Sequence, residues 1–85
     1  MAKLEKKSVD TRSFPEICKG LSNAEWILIR DRIAASTGKS DSAVYYWRDG
    51  SVIPGSILDR KAVAEIVSRA LKIKTNHRML FPEQL

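Results

Sequence analysis

The chain has 85 residues and a formal net charge of +5, and 44% of its residues are apolar. A chain of this length forms one small domain with a single core, which leaves no room for a deep substrate cleft. The one cysteine, Cys18, and the one histidine, His77, exclude an internal disulfide and a zinc site built from several thiolates or imidazoles.

Membrane insertion and export are not expected from this sequence. Its apolar runs, such as residues 26–29, are far shorter than the roughly 20 residues that a membrane-spanning helix needs. The first residues are charged and contain no apolar core of a signal peptide. We therefore expect a cytoplasmic protein with no membrane partner.

The positive charge lies in the two flanks of the chain. Residues 1–20 carry five basic and three acidic side chains, residues 21–50 carry four of each, and residues 51–85 carry six and three. Basic flanks favour a polyanionic partner such as nucleic acid, because phosphate contacts release bound counterions. A net charge of this size is also typical of a well-solvated small domain, so solubility alone is the alternative.

The first predicted elements are an arm and a short helix. Residues 1–13 lack apolar periodicity and contain four basic side chains, which predicts a flexible basic N-terminal arm. Phe14 and Pro15 then begin a helix, because proline is favoured in a first helical turn, and Gly20 ends it.

A capping-box pattern predicts the start of the next helix. In this pattern the side chains of Ser22 and Glu25 each accept a hydrogen bond from the backbone of the other residue. The helix runs to about Ser36, and Gly38 ends it, since glycine tolerates the left-handed backbone of a tight turn. Its apolar stripe consists of Trp26, Ile29, Ile33 and Ala34, widened by Ile27 and Leu28.

Two further helices are predicted. Ser40 caps a helix over about residues 41–48, and Ser56 caps a long helix over about residues 56–72. The wide apolar face of the long helix consists of Leu58, Ala62, Val63, Ile66, Val67, Ala70 and Leu71. Residues 79–81 give the tail apolar side chains with which to dock. Because no alternating strand pattern competes, we predict an all-α fold, a small bundle of four to five helices.

The spacing around Gly38 suits two short helices that cross at a steep angle. Such a pair needs a small residue at the contact, a turn residue tolerant of positive φ, and apolar side chains on the facing sides. Ala34 supplies the small contact and Gly38 the turn. Ile33, Val44 and Trp47 supply the apolar side chains.

This segment resembles a known DNA-binding motif. The pattern Ile33-Ala34-x-x-Thr37-Gly38-x-Ser40-x-x-x-Val44-x-x-Trp47-x-x-Gly50, followed by Pro54, is similar to the helix-turn-helix of the Cro/Xre-type phage repressors. The resemblance covers about residues 26–55. It departs from the family at Thr37 and Lys39, where aliphatic residues are usual.

The resemblance implies a helix-turn-helix domain over residues 14–85, with the motif at about 30–49. Its function would be sequence-specific binding of double-stranded DNA by a transcriptional regulator, with the helix over about 41–48 in the major groove. The implied base-contacting residues are Ser40, Asp41, Ser42, Tyr45 and Tyr46. The implied phosphate-contacting residues are Arg30, Lys39 and Arg48. Family members often bind palindromes as dimers, and the apolar tail from Met79 to Leu85 suggests a homodimer here.

Several of these residues also have simpler roles open to them. Ser40 is a helix cap in either case, and Asp41 is a favourable partner of the helix dipole. Arg30 is able to pair with a neighbouring carboxylate such as Asp31. Adjacent tyrosines at 45 and 46 cannot both face the core, so at least one is exposed.

Catalysis is not expected. One histidine, no glycine-rich phosphate loop and no paired carboxylates leave no catalytic set and no cofactor site. The alternative to DNA binding is a protein–protein adaptor or an antitoxin-like module that reuses a helix-turn-helix scaffold. The neutral charge of residues 21–50 and the apolar run at 26–29 favour this alternative.

Overall fold

A computed structural model describes residues 9–82. All regular structure in this range is helical, which confirms the predicted all-α class. The helices are α1 (Phe14–Lys19), α2 (Asn23–Thr37), α3 (Asp41–Asp49), α4 (Ile57–Leu71) and α5 (His77–Leu80). The first four were predicted from the sequence, whereas the short α5 was not.

Serine side chains begin the first four helices. The Ser22 N–H donates to Glu25 Oε1 at 2.9 Å and the Glu25 N–H donates to Ser22 Oγ at 3.2 Å, so the predicted capping box is confirmed. The same reciprocal pattern joins Ser13 and Glu16 at the start of α1, where only the following proline was used for the prediction. These bonds satisfy backbone donors that a helix leaves unpaired at its first turn.

The ends of α2, α3 and α4 are left-handed. Gly38 has φ 73° and Gly50 has φ 84°, in agreement with the predicted roles of glycine. Lys72 ends α4 with φ 57°, the one non-glycine residue with positive φ in the part of the chain that the structure describes. Since a side chain disfavours this conformation, the sequence contains no local signal for it.

The core joins all five helices. Helix α2 packs against α3 and α4, α1 packs against α3, and α5 packs against α4 and α1. The buried apolar side chains are Phe14, Ile17, Cys18, Trp26, Ile29, Ile33, Val44, Trp47, Val63, Ala64, Val67, Leu80 and Phe81. No charged or polar residue within 9–82 is buried, so the hydrophobic effect is the main stabilising force of the bundle.

Three apolar side chains assigned to the buried faces are exposed. Ile27 and Leu28 do not widen the stripe of α2, and Leu28 is 48% exposed. Leu58 is 77% exposed because it precedes Val63 by five residues, which at about 3.6 residues per turn places it on the opposite side of α4. The predictions for these three residues are therefore wrong.

The end of the predicted flexible arm makes hydrogen bonds to the rest of the domain. The Asp10 N–H donates to Lys74 O at 2.7 Å, and Thr75 Oγ1 donates to Asp10 O at 3.2 Å. Arg12 forms a bidentate pair with the Asp10 carboxylate, and its hydrogen bonds lower the pKa of Asp10 to about 2. The end of the predicted arm is thus bonded to the segment after α4. Residues 1–8 lie outside the described residues.

The C-terminal tail is part of the core. Leu80 and Phe81 are buried, and the rings of Phe14 and Phe81 lie with centroids 5.6 Å apart. The expected docking of the tail is confirmed. These two side chains are not available to a dimer surface, because they are buried within the subunit. Residues 83–85 of the predicted surface lie outside the described residues.

Candidate nucleic-acid interface

Three residues connect α2 to α3. The Gly38 N–H donates to Ala34 O at 2.9 Å, and the left-handed backbone of Gly38 reverses the chain direction. Thr37 Oγ1 donates to Ile33 O at 2.8 Å and accepts from the Lys39 N–H at 3.3 Å. These bonds satisfy the polar groups of Thr37, which explains how the turn tolerates a residue that is aliphatic in the resembled family.

The inner face of α3 is anchored in the core. Val44 is fully buried and Trp47 nearly so, as predicted from their spacing. The outer face carries Ser42, Tyr45 and Tyr46, which share one side of the helix because they are three and four residues apart. Tyr45 is 44% exposed and Tyr46 is 55% exposed, so both tyrosines are accessible to a partner.

Ser40 and Asp41 lie at the N-terminal end of α3. Ser40 Oγ accepts from the Ala43 N–H at 3.2 Å and is therefore the N-cap. The carboxylate of Asp41 lies 3.8 Å from Arg30 Nε of α2, and it also sits at the positive end of the α3 dipole. Both residues are exposed, so they remain accessible to a partner at the N-terminal end of α3 despite these structural roles.

Each predicted phosphate-contacting residue has a partner within the chain. Arg30 NH2 lies 3.1 Å from Asp31 Oδ1 in addition to its approach to Asp41. Lys39 Nζ lies 4.0 Å from Asp59 Oδ2, which joins the turn to the first turn of α4. Ion pairs at a solvent-exposed surface are worth about 0–1 kcal/mol, so a phosphate group is able to replace these carboxylates.

Arg48 is held by aromatic rings rather than by a carboxylate. Its guanidinium carbon lies 4.6 Å from the ring centroid of Trp26 and 5.6 Å from that of Tyr45. The two rings meet edge to face with centroids 5.6 Å apart. This cluster of Trp26, Tyr45 and Arg48 connects the start of α2 to the outer face of α3.

The sequence pattern placed Trp26 in the core but did not predict its contacts with side chains of α3. It is buried, and its Nε1–H has no hydrogen-bond partner among residues 9–82. An unpaired buried donor costs free energy, which is offset by the packing of the ring against Phe14 and Tyr45. The only sequence signal was its place in the first turn after the Ser22 cap, which cannot reveal contacts with α3.

Comparisons of the chain with protein-family models, with curated proteins and with solved structures gave no match.

Within residues 9–82, no helix combines the length and the apolar character that crossing a membrane requires. The same range contains no group of three or more His, Cys, Asp or Glu side chains placed to hold a metal ion.

Proposed function

We propose that this protein binds double-stranded DNA sequence-specifically and acts as a transcriptional regulator, with α3 in the major groove. One observation carries the proposal. Helix α3 follows α2 after a three-residue turn, its inner face is fixed by Val44 and Trp47, and its outer face exposes Ser42, Tyr45 and Tyr46. A helix anchored in this way presents a rigid set of side chains to a groove.

The outer side chains of α3 have the chemistry needed for base recognition. The hydroxyls of Ser42, Tyr45 and Tyr46 both donate and accept hydrogen bonds, so they suit donors and acceptors on base edges. Asp41 is an acceptor that suits the amino group of cytosine. In the free protein Asp41 lies beside Arg30, and a change of partner for either group on binding would keep both charges paired.

In this proposal, contacts to the phosphate backbone of DNA come from cationic side chains around α3. Arg30 lies beside Asp41 at the start of α3, Lys39 lies in the turn before α3, and Arg48 lies in the last turn of α3. Their present partners are carboxylates or aromatic rings. The segment 21–50 carries no net charge. The basic residues of the flanks therefore supply most of the long-range attraction to DNA, while α3 supplies the selectivity.

A homodimer forms part of the proposal, through a surface other than the buried tail. Residues 50–58 carry no charged side chain and expose four large aliphatic side chains, those of Val52, Ile53, Ile57 and Leu58. In a chain of net charge +5, a second copy meets least repulsion at such a segment. Sedimentation of the wild-type protein should show a dimer. Leu58→Glu should weaken this dimer, whereas Leu28→Glu should not. A wild-type protein that stays monomeric at high concentration would contradict the proposed homodimer.

A selection from random duplex DNA, followed by affinity measurements over about 50–200 mM salt, tests the proposal. We expect an enriched sequence motif and a steep loss of affinity with salt. Tyr46→Ala should change the motif, whereas Leu28→Ala, which removes an exposed apolar side chain from α2, should not. The absence of both enrichment and salt-sensitive binding would overturn the proposal.

A protein–protein adaptor, including an antitoxin-like module, is the second candidate. Ile27 and Leu28 are exposed on α2, where a monomeric protein gains nothing from apolar side chains, and α3 carries Asp41 and Asp49 against one arginine. This candidate predicts that Leu28→Ala abolishes partner binding while no duplex sequence is enriched. Both candidates assign the protein a non-catalytic role without a cofactor.

A further inference from the structure

The guanidinium group of Arg48 contacts one buried and one exposed aromatic ring, those of Trp26 and Tyr45. The Trp26 ring is fixed in the core beside Phe14, with 6.5 Å between the ring centroids. Its Nε1–H, unpaired within residues 9–82, costs free energy that a phenylalanine would avoid, whereas a tryptophan ring attracts a cation more strongly. Tyr45 lies three residues before Arg48, so both share one side of α3.

Arg48 keeps its hydrogen-bonding capacity in this cluster. A guanidinium group has five N–H donors. Within residues 9–82, no acceptor takes a hydrogen bond from this guanidinium and no carboxylate forms an ion pair with it. A cation–π contact uses the charge of the guanidinium against the ring and does not consume its N–H donors. The donors of this half-buried side chain, which two rings hold in place, therefore remain available to an anion.

The other two cations of the proposed DNA interface are placed differently. Arg30 Nε lies 3.8 Å from the carboxylate of Asp41. Lys39 Nζ lies 4.0 Å from the carboxylate of Asp59. A phosphate must replace a carboxylate at each of these two cations, so part of the interaction energy is exchanged rather than gained. At Arg48 a phosphate adds charge-assisted hydrogen bonds to a side chain that is able to keep its ring contacts.

We propose that the rings of Trp26 and Tyr45 position Arg48 for a phosphate group of the DNA backbone and keep their contact with it when the phosphate binds. This inference rests on the function proposed for α3. Trp26 and Tyr45 are positioning residues in this role, because they restrict Arg48 without touching the phosphate. An arginine that is ordered before binding loses less side-chain entropy on contact. Arg48 is therefore the strongest of the three phosphate contacts, and the Tyr45 hydroxyl stays available for a base.

A double-mutant cycle on a duplex without the enriched sequence motif tests this positioning, because base contacts contribute least there. At about 50 mM salt, Tyr45→Leu should weaken binding about two- to fivefold in the wild-type background and have no further effect in the Arg48→Gln background. Tyr45→Phe keeps the ring and should restore the affinity that Tyr45→Leu loses. Lys39→Gln should weaken binding less than Arg48→Gln does. Equal losses from Tyr45→Leu in both backgrounds, no loss in either, equal losses from Tyr45→Leu and Tyr45→Phe, or a loss from Lys39→Gln as large as that from Arg48→Gln would overturn the proposal.

The NMR signals of the Arg48 side chain give a second readout. Protons over the face of an aromatic ring are shifted upfield, so these signals should lie upfield in the free protein and stay upfield in the DNA complex. Loss of the upfield shift on binding would show that Arg48 exchanges the rings for the phosphate, which would overturn the proposal. A wild-type protein that binds no duplex would contradict the function proposed for α3 together with this inference. Duplex binding with additive effects in the cycle would contradict only the positioning by the rings.

Discussion

The guanidinium of Arg48 lies 4.6 Å from the ring centroid of Trp26, so the end of α3 is bound to the start of α2 by a cation–π contact. The same guanidinium approaches the Tyr45 ring at 5.6 Å. This contact crosses the α2–α3 segment on the side away from the turn at Gly38. Together, the turn and the cation–π contact limit the freedom of α3 relative to α2.

Replacing Arg48 tests this contact. Arg48→Gln removes the charge and keeps part of the side-chain stem, so we expect the free energy of unfolding to fall by about 1 kcal/mol. Arg32→Gln removes an exposed arginine from α2 and should change it by less than about 0.5 kcal/mol. Chemical denaturation of both variants gives the comparison. Equal stability of the two would show that the Trp26 contact contributes nothing.

Three glycine-to-alanine variants should rank by backbone conformation and space. At Gly38 a Cβ meets nothing within 4 Å, so Gly38→Ala loses about 1 kcal/mol through the positive φ alone. At Gly50 the Cβ also lies 3.3 Å from Pro15 Cγ, and the loss should be larger. Gly55 has open space and no positive φ, so Gly55→Ala should change stability by less than about 0.5 kcal/mol. Thermal denaturation of the three variants measures the order, and any other order contradicts it.

Two leucine truncations should separate the buried tail from the exposed start of α4. Leu80→Ala leaves a cavity in the core and should cost about 2–5 kcal/mol, since Leu80 is almost fully buried. In protein dilute enough to be monomeric, Leu58→Ala removes the same atoms from a site 77% exposed and should cost less than about 0.5 kcal/mol. Denaturation by urea measures both. Similar costs would show that the tail does not complete the core.

Burial raises the pKa of the Cys18 thiol to about 12, although the nearby Arg48 charge opposes the rise. Native protein at pH 8 should therefore react with a thiol reagent far more slowly than unfolded protein. The folded state holds the thiol proton more tightly than the unfolded state, whose thiol has an ordinary pKa of 9.0. The contribution of Cys18 to stability is thus complete below pH 9 and is lost as the pH rises towards 12. Cys18→Ala should lack this part of the alkaline loss, and identical alkaline profiles would contradict the expected role of the thiol.

The proposed DNA contacts should separate into two types. Arg30→Ala should weaken binding to all duplexes alike, because a phosphate contact carries no sequence information. Ser42→Ala and Tyr46→Phe remove only a hydroxyl group. Each should weaken the free energy of binding to the preferred DNA sequence by about 1–3 kcal/mol and make the protein less selective among sequences. Binding measured on a panel of single-base variants makes the distinction. If all three substitutions act alike, α3 is not the reading helix.

Local sequence patterns were sufficient for most helix boundaries. The Ser22–Glu25 box, the Ser40 cap and the glycine at 38 act through bonds between residues at most four positions apart. Such bonds form wherever the pattern occurs, so the sequence reveals them directly. The start of α1 had the same capping pattern at Ser13, whereas the αL end of α4 at Lys72 had none.

Exposure of apolar side chains could not be read with the same accuracy. Periodicity correctly placed Val44, Trp47 and Val63 in the core. It assigned Leu28 and Leu58 to buried faces because it records only that a residue is apolar. Whether such a side chain is covered depends on the position of the neighbouring helix, and no helix within residues 9–82 covers these two.

The sequence by itself determined the helical class, the starts of four helices, the ends of α2 and α3, and the inner face of α3. These features follow from caps, turns and periodicity, which are local properties of the chain. Only the tertiary structure decided that Arg48 lies on Trp26, that Arg30 lies beside Asp41, and that the tail packs Phe81 against Phe14. The physical reason is the same in each case, since these contacts join side chains from different helices and exist only once the helices have packed.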